Sequence, residues 1–228
     1  KGGSRLPVLI LVHGSGPNDR DETLGPNKLF RDIAWGLAEQ GIAVLRYDKR
    51  TKVYGTAAYP QGVEATFDNE VVDDVISAVR LVKSLPEIDS ARVYVLGHSL
   101  GGMLVPRIAQ RAGEGCLGGI ISLAGPVRKM EQLLTEQMTY ISSLSGTQPD
   151  VKAAVEQVMN SLPESYRKME TEYQPVEVAR MLKLPFLVLQ GERDYQVTMQ
   201  DFGMWRFGLY RNPNVLFKSY PKLNHALQ

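Results

Sequence analysis

The sequence predicts an α/β protein: a mostly parallel, doubly wound sheet flanked by helices and interrupted once by a helical insertion. Three observations predict it. Short apolar runs bounded by turn residues alternate with segments of helical period, as in successive β–α–β units. The first of those runs is apolar without a break, as in a strand buried on both faces. One stretch, 127–182, holds no convincing strand-like run.

The elements follow in order. Val8-Leu9-Ile10-Leu11-Val12, between Pro7 and Gly14, reads as the first strand. Phe30, Ile33, Ala34, Leu37 and Ala38 mark one helix face, and Gly41 stops it. Ile42 to Leu45 is a second strand, and a loop rich in Lys, Tyr and Gly runs from about Asp48 to Thr66. Val72, Val75, Val79 and Val82 mark a helix that ends before Pro86. Val93 to Leu96 is a third strand, followed by a helix over Leu100 to Ala112. Ile120 to Leu123 and Phe186 to Leu189 are the fourth and fifth strands. A helix over Met199 to Tyr210 and a strand over Val215 to Phe217 complete the series. Between strands four and five, Pro149, Pro163 and Pro175 punctuate a segment rich in Glu, Gln, Met and Leu, which reads as two to four short helices. The expected organisation is a core of residues 1–126 and 183–228 with an insertion at 127–182.

The 228 residues suit one domain carrying that insertion. The composition, 43% hydrophobic and 22% charged, is that of a globular chain. Net charge is +1 and the basic residues are scattered, so neither nucleic acid nor a membrane surface is indicated as a partner. No apolar run reaches the roughly 18 residues of a membrane span. The single cysteine, Cys116, leaves no internal disulfide and reads as a small apolar residue near a strand. The three histidines are spread out and paired cysteines are absent, so no metal site is expected. With no P-loop and no GxGxxG, no nucleotide or other cofactor is expected either. The first apolar run begins almost at once and the last motif ends at Gln228, as in a chain trimmed at both ends. That leaves the compartment open, cytoplasmic or exported.

One motif carries chemistry. Gly97-His98-Ser99-Leu100-Gly101-Gly102 sits where the third strand gives way to a helix. A nucleophilic serine there needs a sharp turn, small neighbours where strand and helix approach, and a following amide aimed at the oxyanion. Ser99 is the candidate nucleophile and Leu100 supplies the amide. The first strand ends in His13-Gly14-Ser15-Gly16, where a second oxyanion donor is expected, and Ser15 N–H is the candidate. His13 reads as a structural histidine holding that loop. The following Asn18-Asp19-Arg20-Asp21-Glu22 reads as a solvated loop tied by local ion pairs, with a rim to the site as the alternative.

At such elbows the chain order is serine, acid, histidine. Among His13, His98 and His225, only His225 follows the nucleophile at a useful distance. His98 adjoins Ser99, but neighbours at an elbow point in different directions. The acid is expected after the fifth strand, in Gly191-Glu192-Arg193-Asp194, with Asp194 preferred and Glu192 the alternative.

Together, the His13–Gly16, Gly97–Gly102, Gly191–Asp194 and Asn224-His225 motifs resemble the α/β-hydrolase superfamily. Within it they look like bacterial serine aminopeptidase-like and dienelactone-hydrolase-like carboxylesterases. The resemblance covers nearly the whole chain. It implies Ser99, Asp194 and His225 as a triad, the Ser15 and Leu100 amides as an oxyanion hole, and the insertion as a lid. The chain departs from the family's pattern in lacking the strands before the His-Gly strand and the helix after the histidine.

Small carboxylic esters are the first expectation for substrate, by way of an acyl-enzyme on Ser99. A peptidase of short peptides, a thioesterase or acyltransferase, and a non-catalytic binding module are the alternatives. Met130, Leu133, Leu134, Met138, Tyr140, Ile141 and Leu144 form an apolar set at roughly helical spacing. They line an acyl pocket or pack on their own core, and Tyr195, Met199 and Trp205 pose the same choice. Met138, Tyr140 and Tyr195 are the expected substrate contacts. An aminopeptidase needs an acidic group for the substrate's amino terminus, and Glu131, Glu136, Glu170 and Glu172 are the candidates.

Overall fold

The structure is a computed structural model that describes residues 5–146 and 149–228. Its first half runs β1 (Leu6–Val12), a small hairpin of β2 (Thr23–Leu24) and β3 (Asn27–Lys28), α1 (Leu29–Ala38), β4 (Ala43–Leu45) and α2 (Arg50–Tyr54). A turn of π-helix, Asp68–Val72, leads into α3 (Asp73–Ser84), β5 (Ile88–His98), α4 (Leu100–Ala112) and β6 (Gly119–Leu123). Four helices then intervene: α5 (Met130–Ser145), α6 (Val151–Ser161), α7 (Glu164–Glu172) and α8 (Pro175–Arg180). The chain returns through β7 (Phe186–Gly191), α9 (Met199–Leu209) and β8 (Val215–Tyr220).

Six strands form one sheet in the order β4-β1-β5-β6-β7-β8, every neighbouring pair parallel. Alternation along β1 shows why its sequence is apolar throughout. Val8, Ile10 and Val12 pack with α3 and α4 on one face, while Leu9 and Leu11 pack with Phe30 of α1 on the other. Parallel strands joined by crossovers are covered on both faces, and both layers must be apolar. From β1 the chain moves outward to β4, then returns past β1 to β5. The strand order therefore reverses between β1 and β5, and such a reversal opens a crevice at the carboxyl ends of the strands.

The structure differs from the sequence expectation in three places. β5 begins five residues before the apolar run, at Ile88, because Leu6 of β1 pairs with Ile88 across a register shift. Its polar start hides it from a hydrophobicity pattern. The loop after β4 contains α2, which Arg50 ties to Asp74 of α3 through a two-point ion pair. The β2–β3 hairpin has only two residues per strand and no periodic signal.

Candidate active site

Ser99 stands at the junction of β5 and α4 with φ 54° and ψ −118°, left-handed backbone that a non-glycine residue rarely adopts. Such strain is held only where the surroundings over-determine it. Here Ser99 N–H donates to Leu123 O of β6 at 2.9 Å, and Ser99 O accepts from Met103 N–H at 3.0 Å. The glycines permit the close approach. A Cβ on Gly97 would lie 2.1 Å from Gly101 O, and one on Gly101 would lie 2.4 Å from Val12 O. Helix α4 is thus seated directly on β1 and β5, with its N-terminus beneath the crevice.

Asp194 follows β7, and His225 follows β8. His225 Nδ1 donates to Asp194 Oδ2 at 2.6 Å, and the Asp194 side chain is wholly buried. Asp194 Oδ1 accepts from the amides of Gln196 and Val197 at 2.8 and 2.9 Å, and Gln190 Nε2 reaches Oδ2 at 3.1 Å. Both oxygens are therefore occupied by donors, which fits an ionised carboxylate. Glu192, the alternative acid, accepts from Ser219 Oγ at the exposed edge of β8 instead.

A second carboxylate–histidine pair is formed by His98, the chain neighbour of Ser99. Glu22 Oε2 is 3.0 Å from His98 Nδ1, an ion-pair contact off the line of a directed hydrogen bond. His98 Nε2 is 2.9 Å from the carbonyl oxygen of His225. That carbonyl can only accept, so His98 Nε2 donates. The rings of His98 and His225 lie 4.7 Å apart. Burial opposes the charge on each partner, but their mutual attraction prevails. The His98 imidazole is raised above its ordinary value and the Glu22 carboxyl lowered below its own. Both ring nitrogens of His98 thus face oxygens.

Glu22 also reaches the loop after β1, where Oε1 accepts from Gly14 N–H at 2.6 Å. Gly14 O in turn accepts from Lys49 Nζ at 3.1 Å and Asn18 Nδ2 at 3.2 Å. Lys49 is buried and pairs with Glu70 at 2.7 Å. This loop touches the nucleophile, since a Cβ on Gly14 would meet Ser99 Cβ at 3.1 Å.

Above these groups is a cavity of about 530 Å³. Ser15, Ser99, Leu100 and His225 line its floor side; Met130, Leu133, Leu134 and Gln137 of α5 line it from the insertion, with Tyr166 and Glu170 of α7. That size suits a small organic ligand. Among the described residues no group of three or more His, Cys, Asp or Glu could hold a metal, and no helix is long and apolar enough to cross a membrane.

A model of the prolyl oligopeptidase family matches residues 30–228. The chain belongs to this family. It is 38% identical to the esterase EstD of Thermotoga maritima, over all of this chain and 56% of that protein. It is 26% identical to the acylamino-acid-releasing enzyme of Sus scrofa, over 98% of this chain and 29% of that protein. The chain thus spans little more than half the length of the one and under a third of the other. Among solved structures, Est1E from Butyrivibrio proteoclasticus superposes with TM-score 0.66 at 16% identity, over 99% of this chain and 82% of that one. The esterase Pf2001 of Pyrococcus furiosus superposes with TM-score 0.62 at 17% identity, over 98% and 74%. These neighbours share the α/β-hydrolase fold that the motifs resemble.

The structure also places the other residues singled out in the sequence of this member of the prolyl oligopeptidase family. Met138, Tyr140 and Tyr195 do not line the cavity. Tyr140 and Tyr195 stack on each other at 4.9 Å, each more than a third exposed. Helix α5 is turned so that Leu133 and Leu134 face inward, a choice of face that spacing alone leaves open. Trp205 belongs to the core, its indole N–H donating to Gly125 O at 2.8 Å. The polar run after β1 is not uniformly solvated either. Asp19, Arg20 and Asp21 make loop contacts and ion pairs with Thr23, Asp48, Lys28 and Arg46, but Glu22 is buried against Gly14 and His98. Its signal was weak, one of three carboxylates among five polar residues. His13 is buried between Phe30 and Tyr47, and burial pushes its imidazole down to about 4. Of the four acids considered for an amino-terminus site, only Glu170 lines the cavity.

Proposed function

We propose that the chain is a serine hydrolase that cleaves small carboxylic esters through an acyl-enzyme on Ser99. One observation carries the reading. Ser99, in its left-handed turn, opens on the same cavity as His225, whose Nδ1 is fixed on a fully buried Asp194. That bond leaves Nε2 of His225 as the basic nitrogen. Likeness to EstD over the whole chain supports the ester preference.

The chemistry then runs in two halves. Ser99 Oγ attacks the ester carbonyl carbon as His225 Nε2 takes its proton. The carbonyl electron pair moves to oxygen, where the amides of Ser15 and Leu100 receive it. Leu100 is the first residue of α4, so its N–H has no partner within the helix and lies at the positive end of the dipole. Collapse breaks the bond to the alkoxy group, which leaves with the proton from His225. Water, deprotonated by His225, attacks the acyl-enzyme; collapse releases the acid and returns the proton to Ser99. The segment 127–182 serves as a lid, since α5 and α7 supply cavity walls.

Peptide cleavage is the second reading, favoured by the match to the prolyl oligopeptidase family and by Glu170 in the cavity. A panel of p-nitrophenyl esters of increasing acyl length, set beside aminoacyl anilides, separates the two. Esters are expected to turn over faster, and Ser99→Ala should reduce that turnover by at least about 10⁴-fold. Substantial ester hydrolysis by Ser99→Ala sinks the assignment.

A further inference from the structure

We infer that Lys49 is a positioning residue for the oxyanion hole: it grips the Gly14–Ser15 peptide by its carbonyl, aiming and polarising the Ser15 N–H. The inference rests on the serine-hydrolase reading above and assigns one of its donors a mechanism.

The argument begins with the peptide plane. In a trans peptide the carbonyl of one residue and the N–H of the next point in opposite directions. No cis bond occurs among the described residues. Gly14 O is held at 3.1 Å by Lys49 Nζ and at 3.2 Å by Asn18 Nδ2. The Ser15 N–H must therefore point away from Lys49, and it donates to no acceptor among the described residues. Gly14 itself lies against Ser99. The free N–H thus belongs to a peptide fixed beside the nucleophile.

The clamp is doubled along the backbone. Lys49 N–H donates to Asn18 O at 3.1 Å, and the same Asn18 amide group spans Gly14 O and Ser15 O. On the other peptide of Gly14, Glu22 holds the N–H at 2.6 Å. Both peptides of Gly14 are therefore pinned, one by a buried anion and one by a buried cation.

The chemistry of Lys49 fits more than packing. Its side chain is 3% exposed and its ammonium is neutralised by Glu70. A buried ion pair is a poor source of stability compared with apolar side chains of like size. Here it delivers a charged donor to the back of one peptide. Hydrogen bonding from a cation draws electron density out of the carbonyl, and the N–H on the far side becomes a stronger donor. The gain appears only when negative charge develops on the substrate oxygen, so it belongs to kcat and not to substrate binding.

The test removes both charges together, so that neither is left buried alone. In Lys49→Met/Glu70→Gln, kcat for p-nitrophenyl acetate is expected to fall about 10- to 100-fold, part of the loss seen when a whole oxyanion donor is deleted. KM should stay within about twofold, and phosphonylation by a fluorophosphonate should slow by a similar factor. A folded double variant with kcat within twofold of wild type overturns the inference. Should that variant fail to fold, Asn18→Ala removes the second grip on the same carbonyl. A smaller kcat loss of about three- to tenfold is then expected, and an unchanged kcat overturns the inference. Ser99→Ala separates the two failures. If it keeps its activity, the hydrolase reading falls; if it is dead while the Lys49 and Asn18 variants are normal, only the clamp falls.

Discussion

Two carboxylate–histidine pairs lie near Ser99, and they differ in what the second ring nitrogen does. Asp194 holds His225 by Nδ1 at 2.6 Å, which leaves Nε2 at the cavity. Glu22 holds His98 at 3.0 Å, but His98 Nε2 is taken by the carbonyl of His225. Both pairs are buried and both join one acid to one imidazole. Only the first has a nitrogen free to accept a proton. The second is a brace, because one end of Glu22 fixes Gly14 and the far end of His98 fixes the backbone of the base. The composition of such a pair therefore does not define its role. Under the proposed reading, catalysis falls to the pair with a ring nitrogen left open, and scaffolding to the pair whose second nitrogen is already bonded to a backbone carbonyl.

The sharpest way to break this comparison is to disable each acid in turn. Asp194→Asn keeps the shape but lets the wrong tautomer of His225 form, and kcat should fall about 10⁴-fold with KM little changed. Glu22→Gln should act through geometry and cost less, about 10- to 100-fold in kcat, because it loosens the oxyanion loop rather than the base. Equal losses from the two variants, measured on one p-nitrophenyl ester, would erase the distinction. Glu22→Gln also predicts a change in how stability varies as pH rises above 6.5. The folded pKa of His98 lies above its ordinary value of 6.5, so its contribution is complete below pH 6.5 and fades as pH rises through the raised value. Without the Glu22 charge that fade should disappear from melting curves.

The two pairs also differ in how far they could be read from sequence. Ser99, Asp194 and His225 each follow a strand, in loops whose glycines and order follow from the elbow chemistry; Ser99 and His225 line one cavity, and Asp194 is buried against His225. The apolar runs fixed where the strands lie, because parallel strands must be buried on both faces. Glu22 and Lys49 stand within polar stretches, Asn18–Glu22 and Asp48–Arg50, that have the composition of any solvated loop. Their burial depends on how the loops fold back over the carboxyl ends of β1 and β4, which no local pattern encodes. The facing of α5 was hidden for a related reason. Spacing alone does not choose its inner face, and the packing of α5 against its neighbour α6 accompanies Leu133 pointing in and Tyr140 out.

His13 supplies the control for the comparison, since it is a buried histidine with no acid bound to either ring nitrogen. Burial lowers its imidazole to about 4, with the Lys49 charge adding to the effect and Glu22 opposing it. A lowered histidine behaves in the opposite sense to His98. Its neutral form is the folded one, so its stabilising share is complete above pH 6.5 and is lost as pH falls toward 4. Over that window the unfolded chain binds a proton that the folded chain refuses, and stability should drop by about 1.4 kcal/mol per pH unit. His13→Gln removes the titration, and its melting temperature should vary less than that of wild type between pH 6.5 and 4. An undiminished acid slope in the variant would assign the loss to other groups and leave His98 and His13 indistinguishable by charge. A flattened slope would mark His13 as a neutral wedge between Phe30 and Tyr47, set apart from the Glu22-paired His98.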